Sequence, residues 1–292
     1  MTSGRSPAVG GRIELHAHTH FSDGTLSPAD LVALATTRGL TALAITDHDS
    51  VAGVAPAMTA ADALRAARTE DGAAPPEIVA GIEISSALEG NDVHVLGYFV
   101  DWRSEALASR LERFREERRA RARAILNRLA VLGVPVAEEE VFASAGPGVV
   151  GRPHIAHALL RAGYVPTIDV AFQRYLGTHG SAFVPRPTFH SAEAVRVIRE
   201  AGGAAVIAHP ASLAARLIEQ LAEAGLAGIE VWHPQHGTAT QRRWRELAHT
   251  LDLVASGGSD FHGPHRGVGL GEMPVPERAL AELRARAHPA AR

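Results

Sequence analysis

Two histidines one residue apart, His16 and His18, followed by Asp23, stand directly after the apolar run 13–15 near the start of the chain. In an extended segment, residues two apart point to the same side with Cβ atoms roughly 7 Å apart, so both imidazoles can converge on one metal ion. Asp23, beyond the turn, can reach a second position. The same residue types recur further on as Asp47-His48, Glu83, His94, His209, His233, and Asp260 with His262. Imidazole with carboxylate and no sulfur suits Zn2+, Mn2+ or Fe2+ and does not suit a calcium cage. About nine such ligands exceed the roughly four to six that one ion takes. The set therefore predicts two or three divalent ions that share carboxylates.

Ligands so far apart in sequence need a frame that brings them together. Strand and helix patterns alternate over most of the chain, which predicts βα units and a parallel sheet. Strands are expected at 13–15, 43–45, 78–82, 93–100, 183–184, 204–208, 228–232 and 253–256. Ser27 and Pro28 mark a helix start as cap and first helical residue. Nearly every candidate ligand falls at or just beyond a strand's C-terminal end, and in a parallel barrel those ends share the face that carries the active site. His94 is the exception, because it lies near the start of its strand and needs a local reversal to join the others. A single helix is predicted over 104–132, and the strand-poor region around it reads as an insertion at 101–180 that caps the barrel. The barrel itself takes 12–100 and 181–292, and 1–11 reads as a disordered lead.

The 292 residues include no cysteine, which removes disulfides, thiolate metal sites and cysteine nucleophiles. All 29 basic residues are arginine, so a P-loop lysine and a Schiff-base lysine are excluded. A net charge of -3 with 46% hydrophobic and 21% charged residues gives no global drive toward nucleic acid or membrane. The lead lacks the apolar core of a signal peptide or anchor. These features predict a cytoplasmic protein with no membrane contact and no obligate protein partner.

Taken together, His16-x-His18 with Ser22-Asp23-Gly24, Thr46-Asp47-His48, Gly81-Ile82-Glu83, His94 within Val-His-Val-Leu-Gly-Tyr, Ala208-His209-Pro210 and Gly258-Ser259-Asp260-Phe261-His262 resemble the PHP (polymerase and histidinol phosphatase) domain. The likeness runs from about 12 to 270 and is greatest to stand-alone phosphoesterases that act on nucleoside 3',5'-bisphosphates and RNA ends. It implies an α/β fold, a distorted (βα)7 barrel. It also implies one ion on His16, His18, Glu83 and Asp260, a second on Glu83, His94 and His209, and a third on Asp23, His48 and His262. Mn2+ is the expected metal, with Zn2+ or Fe2+ as alternatives. Asp47 is expected to orient a ligand or its turn, and His20 to lie away from the ions.

Arg118 and Arg121, three apart on one face of the long helix, match an Arg-x-x-Arg-Ala pattern of that subfamily, and Arg152 matches an arginine that contacts phosphate there. Where relatives often carry Gly-Lys, this chain has His179-Gly180, so His179 or Arg186 is expected to replace a lysine contact. His233 and His236 are expected beside the site, His236 as a candidate substrate contact together with Asp23 and His48. The resemblance implies hydrolysis of a phosphomonoester by a metal-activated hydroxide held by His16, His18, Asp23, His48, Glu83 and Asp260, with the 3'-phosphate of a nucleoside 3',5'-bisphosphate as the target. A 5'-3' exoribonuclease on short RNA keeps the same chemistry and is the nearest rival. A non-catalytic metal-binding PHP module is the rival from another class.

Overall fold

The computed structural model describes residues 12–69, 72–89, 91–145, 149–185, 189–211, 213–264 and 267–287. The expected lead at 1–11 and Arg186 lie outside these residues. Strands β1 (Arg12–Glu14), β2 (Leu40–Ile45), β3 (Glu77–Leu88), β4 (Asn91–Tyr98), β5 (Ala204–Ile207), β6 (Gly228–Trp232) and β7 (Val254–Gly257) form one sheet in sequence order. Helices α1 (Pro28–Thr37) and α2 (Val54–Ala67) connect the first strands. Between β4 and β5 come α3 (Glu105–Val131), α4 (Glu138–Ala145), α5 (Arg152–Arg161), α6 (Ile168–Ala171), a π-helical turn at Phe172–Leu176, and α7 (Ser191–Glu200). Helices α8 (Ala215–Glu223), α9 (Thr238–Thr250) and α10 (Arg278–Arg286) complete the chain. Local chemistry sets the helix starts: Ser27 Oγ accepts from the Asp30 N–H with Pro28 in the first turn of α1, and Ser104 caps α3 by accepting from Leu107.

β1 to β3 are parallel, as are β5 to β7, while β4 runs antiparallel to both of its neighbours. The reversal is made by a tight hairpin after Leu88, with Glu89 at a φ of 46°. It turns the N-terminal end of β4 toward the C-terminal ends of the other strands, which supplies the reversal that His94 requires. The two sheet edges meet just beyond β1 and β7. There the His18 N–H donates to the Phe261 carbonyl at 2.9 Å and the Phe261 N–H donates to the His16 carbonyl at 3.1 Å. The result is a distorted seven-stranded barrel.

The region 183–184 forms no strand. The Arg121 Nε–H donates to the Val184 carbonyl at 2.7 Å, and an Arg128 guanidinium N–H donates to the Phe183 carbonyl. Arginine side chains thus satisfy the backbone groups that a sheet neighbour would have taken, and Pro185 follows.

One apolar cluster joins strand residues such as Leu15, Ala44, Leu96, Tyr98 and Val206 to Ala279 and Leu283 of α10. A second lies between the strands and α7 to α9, and it includes Leu107, Leu111 and Phe114 from the first half of α3. The second half of α3 contributes Ile125, Leu126 and Leu129 to a separate cluster with α4, α5 and α6. One helix therefore belongs to the barrel at one end and to a separate helical cluster at the other, with Arg118 and Arg121 at the changeover.

The buried Tyr98 hydroxyl donates to the Leu15 carbonyl at 2.9 Å, tying β4 across to the chain leading into His16. Tyr98→Phe leaves that carbonyl buried without its donor, and we expect chemical denaturation to show a loss of about 1–3 kcal/mol.

Candidate metal centre

The extended segment after β1 holds His16 and His18 with their backbone locked against Phe261. This pairing requires close approach at Gly258, where a Cβ would lie 2.3 Å from the His16 Cβ. Asp47, at the end of β2, accepts from the Thr19 N–H, the Thr19 hydroxyl and the Ser22 hydroxyl, each at 2.7 Å. These bonds shape the turn that delivers Asp23. His48 lies alongside Glu83, because the Glu83 N–H donates to the Asp47 carbonyl and the Asp49 N–H donates to the Glu83 carbonyl. Across the β3–β4 pair, His94 is opposite Ser85 and Glu83 is opposite Leu96, so Glu83 and His94 share one face as diagonal neighbours. His209 and Asp260 follow β5 and β7 with φ angles of 29° and 52°, a left-handed backbone that non-glycine residues rarely adopt.

The donor atoms converge in three groups, within each of which they lie within 4.8 Å of one another: His16, His18, Glu83 and Asp260; His18, Asp23, His48 and His262; and His48, Glu83 and His94. Glu83 Oε2 lies 3.3 Å from both His16 Nε2 and His18 Nε2 and 2.9 Å from His48 Nδ1. Its other oxygen lies 2.9 Å from His94 Nδ1 and 3.1 Å from His209 Nε2. Asp260 Oδ1 is 3.3 Å from His16 Nε2 and 3.2 Å from His18 Nε2, and Asp23 Oδ1 is 3.1 Å from His262 Nε2. Eight of the nine expected residues fall in these groups, with His18, His48 and Glu83 each in two; His48 stands where His209 was expected beside Glu83 and His94, and His209 joins through the other Glu83 oxygen.

Several of these atoms are buried without a hydrogen-bond partner: His16 Nε2, His18 Nε2, Asp23 Oδ1, His48 Nδ1 and Glu83 Oε2. His16 Nε2, His18 Nε2 and His48 Nδ1 each lie within 3.3 Å of Glu83 Oε2, and an orphaned buried polar atom is costly. Imidazole nitrogens and carboxylate oxygens aimed at common points fit divalent cations.

Electrostatics agree with that fit. Burial by itself lifts the Glu83 carboxyl, but the charges of His48, His94 and His16 outweigh it and hold the group well below the usual carboxylate range. Asp23 and Asp260 are held low in the same way, chiefly by His262 and His48 in one case and by His16 in the other. For His18, burial disfavours the charge, yet the close carboxylates of Asp260 and Glu83 raise its pKa to about 10. His94 goes the other way, to about 4, because burial outweighs its contact with Glu83.

Two buried carboxylates that the strand-end pattern does not select support this cluster. Glu230, inside β6, meets His16 Nδ1 at 2.9 Å with one oxygen and accepts from the His209 N–H at 2.7 Å with the other. A carboxylate on Nδ1 fixes the ring so that Nε2 presents its lone pair. Glu14, the last residue of β1, accepts from the N–H groups of His16, Ser259 and Gly271 and from the Ser259 hydroxyl. The available sequence signal is a lone acid inside an apolar strand, as in Gly228-Ile229-Glu230-Val231-Trp232.

Beside the cluster opens a cleft of about 160 Å3 lined by Asp23, His48, His94, Arg118, Arg121, Arg152 and Phe172. Arg118 is fixed there by Asp49 at 2.5 Å and Ser85 at 2.6 Å, and Arg152 by Asp92 and the Leu176 carbonyl, each at 3.3 Å. His233 is buried with Nε2 3.6 Å from Asp260. His236 is buried behind it, with Nδ1 2.9 Å from the Val231 carbonyl. His20 and His179 are exposed.

Because His18 in the ion-free cluster holds its proton up to about pH 10, a cation entering at neutral pH must displace it. Metal affinity should therefore fall as pH falls, by about tenfold per pH unit for each proton displaced. Titration calorimetry in buffers of different ionisation heat counts those protons, and uptake with no release would contradict the assignment.

Comparison with known proteins agrees with the geometry. Residues 14–162 match the PHP domain model. The chain is 34% identical over 264 residues to the 5'-3' exoribonuclease Rnm of Salmonella typhimurium, spanning 88% of this chain and 87% of that protein. It is 34% identical over 262 residues to the 3',5'-nucleoside bisphosphate phosphatase of Chromobacterium violaceum, spanning 87% and 88%. A Bifidobacterium adolescentis protein assigned as a metal-dependent phosphoesterase superposes with a TM-score of 0.85 at 31% identity over 97% of this chain and 98% of its own. The barrel, the cluster at its mouth and these likenesses lead to one assignment: the chain belongs to the PHP domain family.

Proposed function

We propose that this protein is a metal-dependent phosphoesterase that removes the 3'-phosphate of nucleoside 3',5'-bisphosphates. One observation carries the reading, namely that three arginines and the candidate ligands Asp23, His48 and His94 line the same cleft. Ions held by the ligand cluster would take one phosphoryl group, and Arg118, Arg121 and Arg152 bind a second phosphate on the same small molecule. Arginine's planar fork suits that task, and Asp49, Ser85 and Asp92 hold two of the guanidiniums before substrate arrives. Phe172 offers an apolar face within the cleft for the base. Binding energy from the remote phosphate then orients the reacting one. Two or three divalent ions, Mn2+ first and Zn2+ or Fe2+ next, supply a water of lowered pKa and neutralise phosphoryl charge.

The capping role of 101–180 follows from the same reading, since Arg118, Arg121 and Arg152 all come from that segment. Arg186 and His236 remain secondary candidates for substrate contact. A nucleotide substrate accords with a cytoplasmic location and requires no protein partner. A second reading, 5'-3' exonuclease action on short RNA, uses the same centre and is favoured by a further cleft of about 360 Å3 that also begins at Asp23 and is lined by His154, His157 and Arg161.

Removing a ligand should abolish turnover while leaving the fold. His16→Ala or Asp260→Ala is expected to lower phosphate release from adenosine 3',5'-bisphosphate by about a thousandfold or more, with cooperative unfolding retained. Stripping the ions should do the same and adding Mn2+ should reverse it; full activity after stripping would refute the reading. Arg152→Ala should cost about ten- to hundredfold in kcat/KM on the bisphosphate and little on p-nitrophenyl phosphate, whereas equal losses would remove Arg152 from recognition.

A further inference from the structure

Among the described residues, neither strand β6 nor the turn after it adds a donor to the three ligand groups, yet both reach ligands of one group. Glu230, inside β6, meets His16 Nδ1. His233, three residues further on, faces Asp260. His16 and Asp260 both belong to the group completed by His18 and Glu83. Within that group the side chains of His16, His18 and Glu83 are fully buried, whereas that of Asp260 is 24% exposed. Asp260 also sits on a left-handed backbone at a φ of 52°. Packing therefore restrains this ligand least, and a carboxylate free to rotate can turn either oxygen toward a cation.

His233 is built to remove that freedom. The Gln235 N–H donates to His233 Nδ1 at 3.2 Å, so Nδ1 is an acceptor and the neutral ring carries its proton on Nε2. Nε2 is buried with no hydrogen-bond partner, and it lies 3.6 Å from Asp260 Oδ2, slightly too long for a hydrogen bond. Oδ1, the other oxygen, lies 3.3 Å from His16 Nε2 and 3.2 Å from His18 Nε2. The two oxygens thus face different surroundings, one a buried N–H and the other the ligand nitrogens. The His233 ring is itself held in place, with ring centroids 5.1 Å from His209 and 5.4 Å from His236. His236 is anchored in turn through Nδ1 to the Val231 carbonyl. A nitrogen that carries a proton offers no lone pair to a metal, which sets His233 apart from the histidines of the three groups.

We propose that His233 is a positioning residue whose Nε2–H holds Asp260 Oδ2, so that Oδ1 is the oxygen presented to a cation beside His16 and His18. The inference rests on the metal-dependent part of the proposed function. Together with Glu230, it makes the end of β6 the template for one ion: one residue orients the histidine and the other the carboxylate of the same group.

The test compares wild type with His233→Leu, which fills similar space without a donor, and with His233→Gln, whose amide N–H extends toward the same oxygen. His233→Ala stands in for the leucine variant if that variant does not fold, and unfolding midpoints of the ion-free proteins are the control. Free Mn2+ is followed by electron paramagnetic resonance as it is titrated into ion-free protein. For His233→Leu we expect one Mn2+ to bind about tenfold more weakly, with the number bound at saturation unchanged, and for His233→Gln we expect most of that loss to be recovered. In Co2+-loaded protein the visible absorption should change in His233→Leu and keep its wild-type form in His233→Gln. Wild-type Mn2+ affinity in His233→Leu would overturn the proposal. Equal weakening in the leucine and glutamine variants would assign the effect to packing, and loss of one ion at saturation would make His233 a ligand; either result also overturns it. The titration uses no substrate, so a wild type that binds Mn2+ but is inert toward adenosine 3',5'-bisphosphate refutes the proposed function and leaves the titration to decide His233. A wild type that binds no Mn2+ overturns both.

Discussion

A fully buried carboxylate, Glu83, is the point to which the barrel mouth answers. An ionised carboxyl removed from water is unfavourable unless charge and directed partners replace the lost hydration. Here five imidazoles stand within 3.3 Å of its two oxygens, from His16, His18, His48, His94 and His209. They arrive from the segments after β1, β2 and β5 and from within β4. That arrangement constrains topology. Parallel strands bring three of the four segments to one face without further help, but β4 delivers His94 there only because it is reversed. The antiparallel strand is thus a condition for compensating one buried charge.

Seen from Glu83, it is clear why the sequence disclosed some of the site and concealed the rest. His16, His18, His48, His209, Asp260 and His262 follow apolar runs, and the strand-end rule of parallel α/β folds finds residues so placed. His94 breaks that rule, and only its histidine neighbours in the pattern suggest that the chain must turn back. Glu230 and Glu14 are harder, because they lie within strands and act through other residues. Their roles depend on which strand is adjacent, which periodicity does not report. The expected strand at 183–184 failed for a related reason: its β-favourable residues are present, but arginines of α3 reached its carbonyls first. Long polar side chains can take over backbone groups, and local pattern carries no trace of a partner about sixty residues away.

The histidine-carboxylate cluster and the arginines of the adjoining cleft come from different layers of the molecule. The barrel supplies the ligand cluster, while α3 and α5 supply the arginines. Helix α3 is continuous through both layers, with its first half packed against the barrel strands and its second half in a separate helical cluster. A continuous helix is stiff across the 27 residues involved, so Arg118 and Arg121 are fixed relative to Glu83 and do not depend on loop order. Asp49 strengthens that link. It sits two residues past Asp47 on the ligand-bearing loop, and its carboxylate bonds Arg118 at 2.5 Å. The candidate ligand loop and the arginine cleft are therefore joined by one hydrogen-bonded path.

The cost of this arrangement is concentrated where its use is. His209 and Asp260 hold left-handed backbone angles, and the buried donor atoms around Glu83 Oε2 lack hydrogen-bond partners. A fold tolerates such features only where the surroundings over-determine them. Asp47 takes three hydrogen bonds from the His18–Asp23 turn, Glu14 takes one from His16 and three from Ser259 and Gly271 that join β1 to the segments after β7, and Glu230 bonds both His16 and His209. None of these contacts requires a cation, so the ligands are positioned by folding itself and little ordering remains when ions enter. The orphaned lone pairs are the part that folding leaves unsatisfied, and a bound cation would satisfy them. Metal affinity and fold stability are consequently coupled through the same atoms.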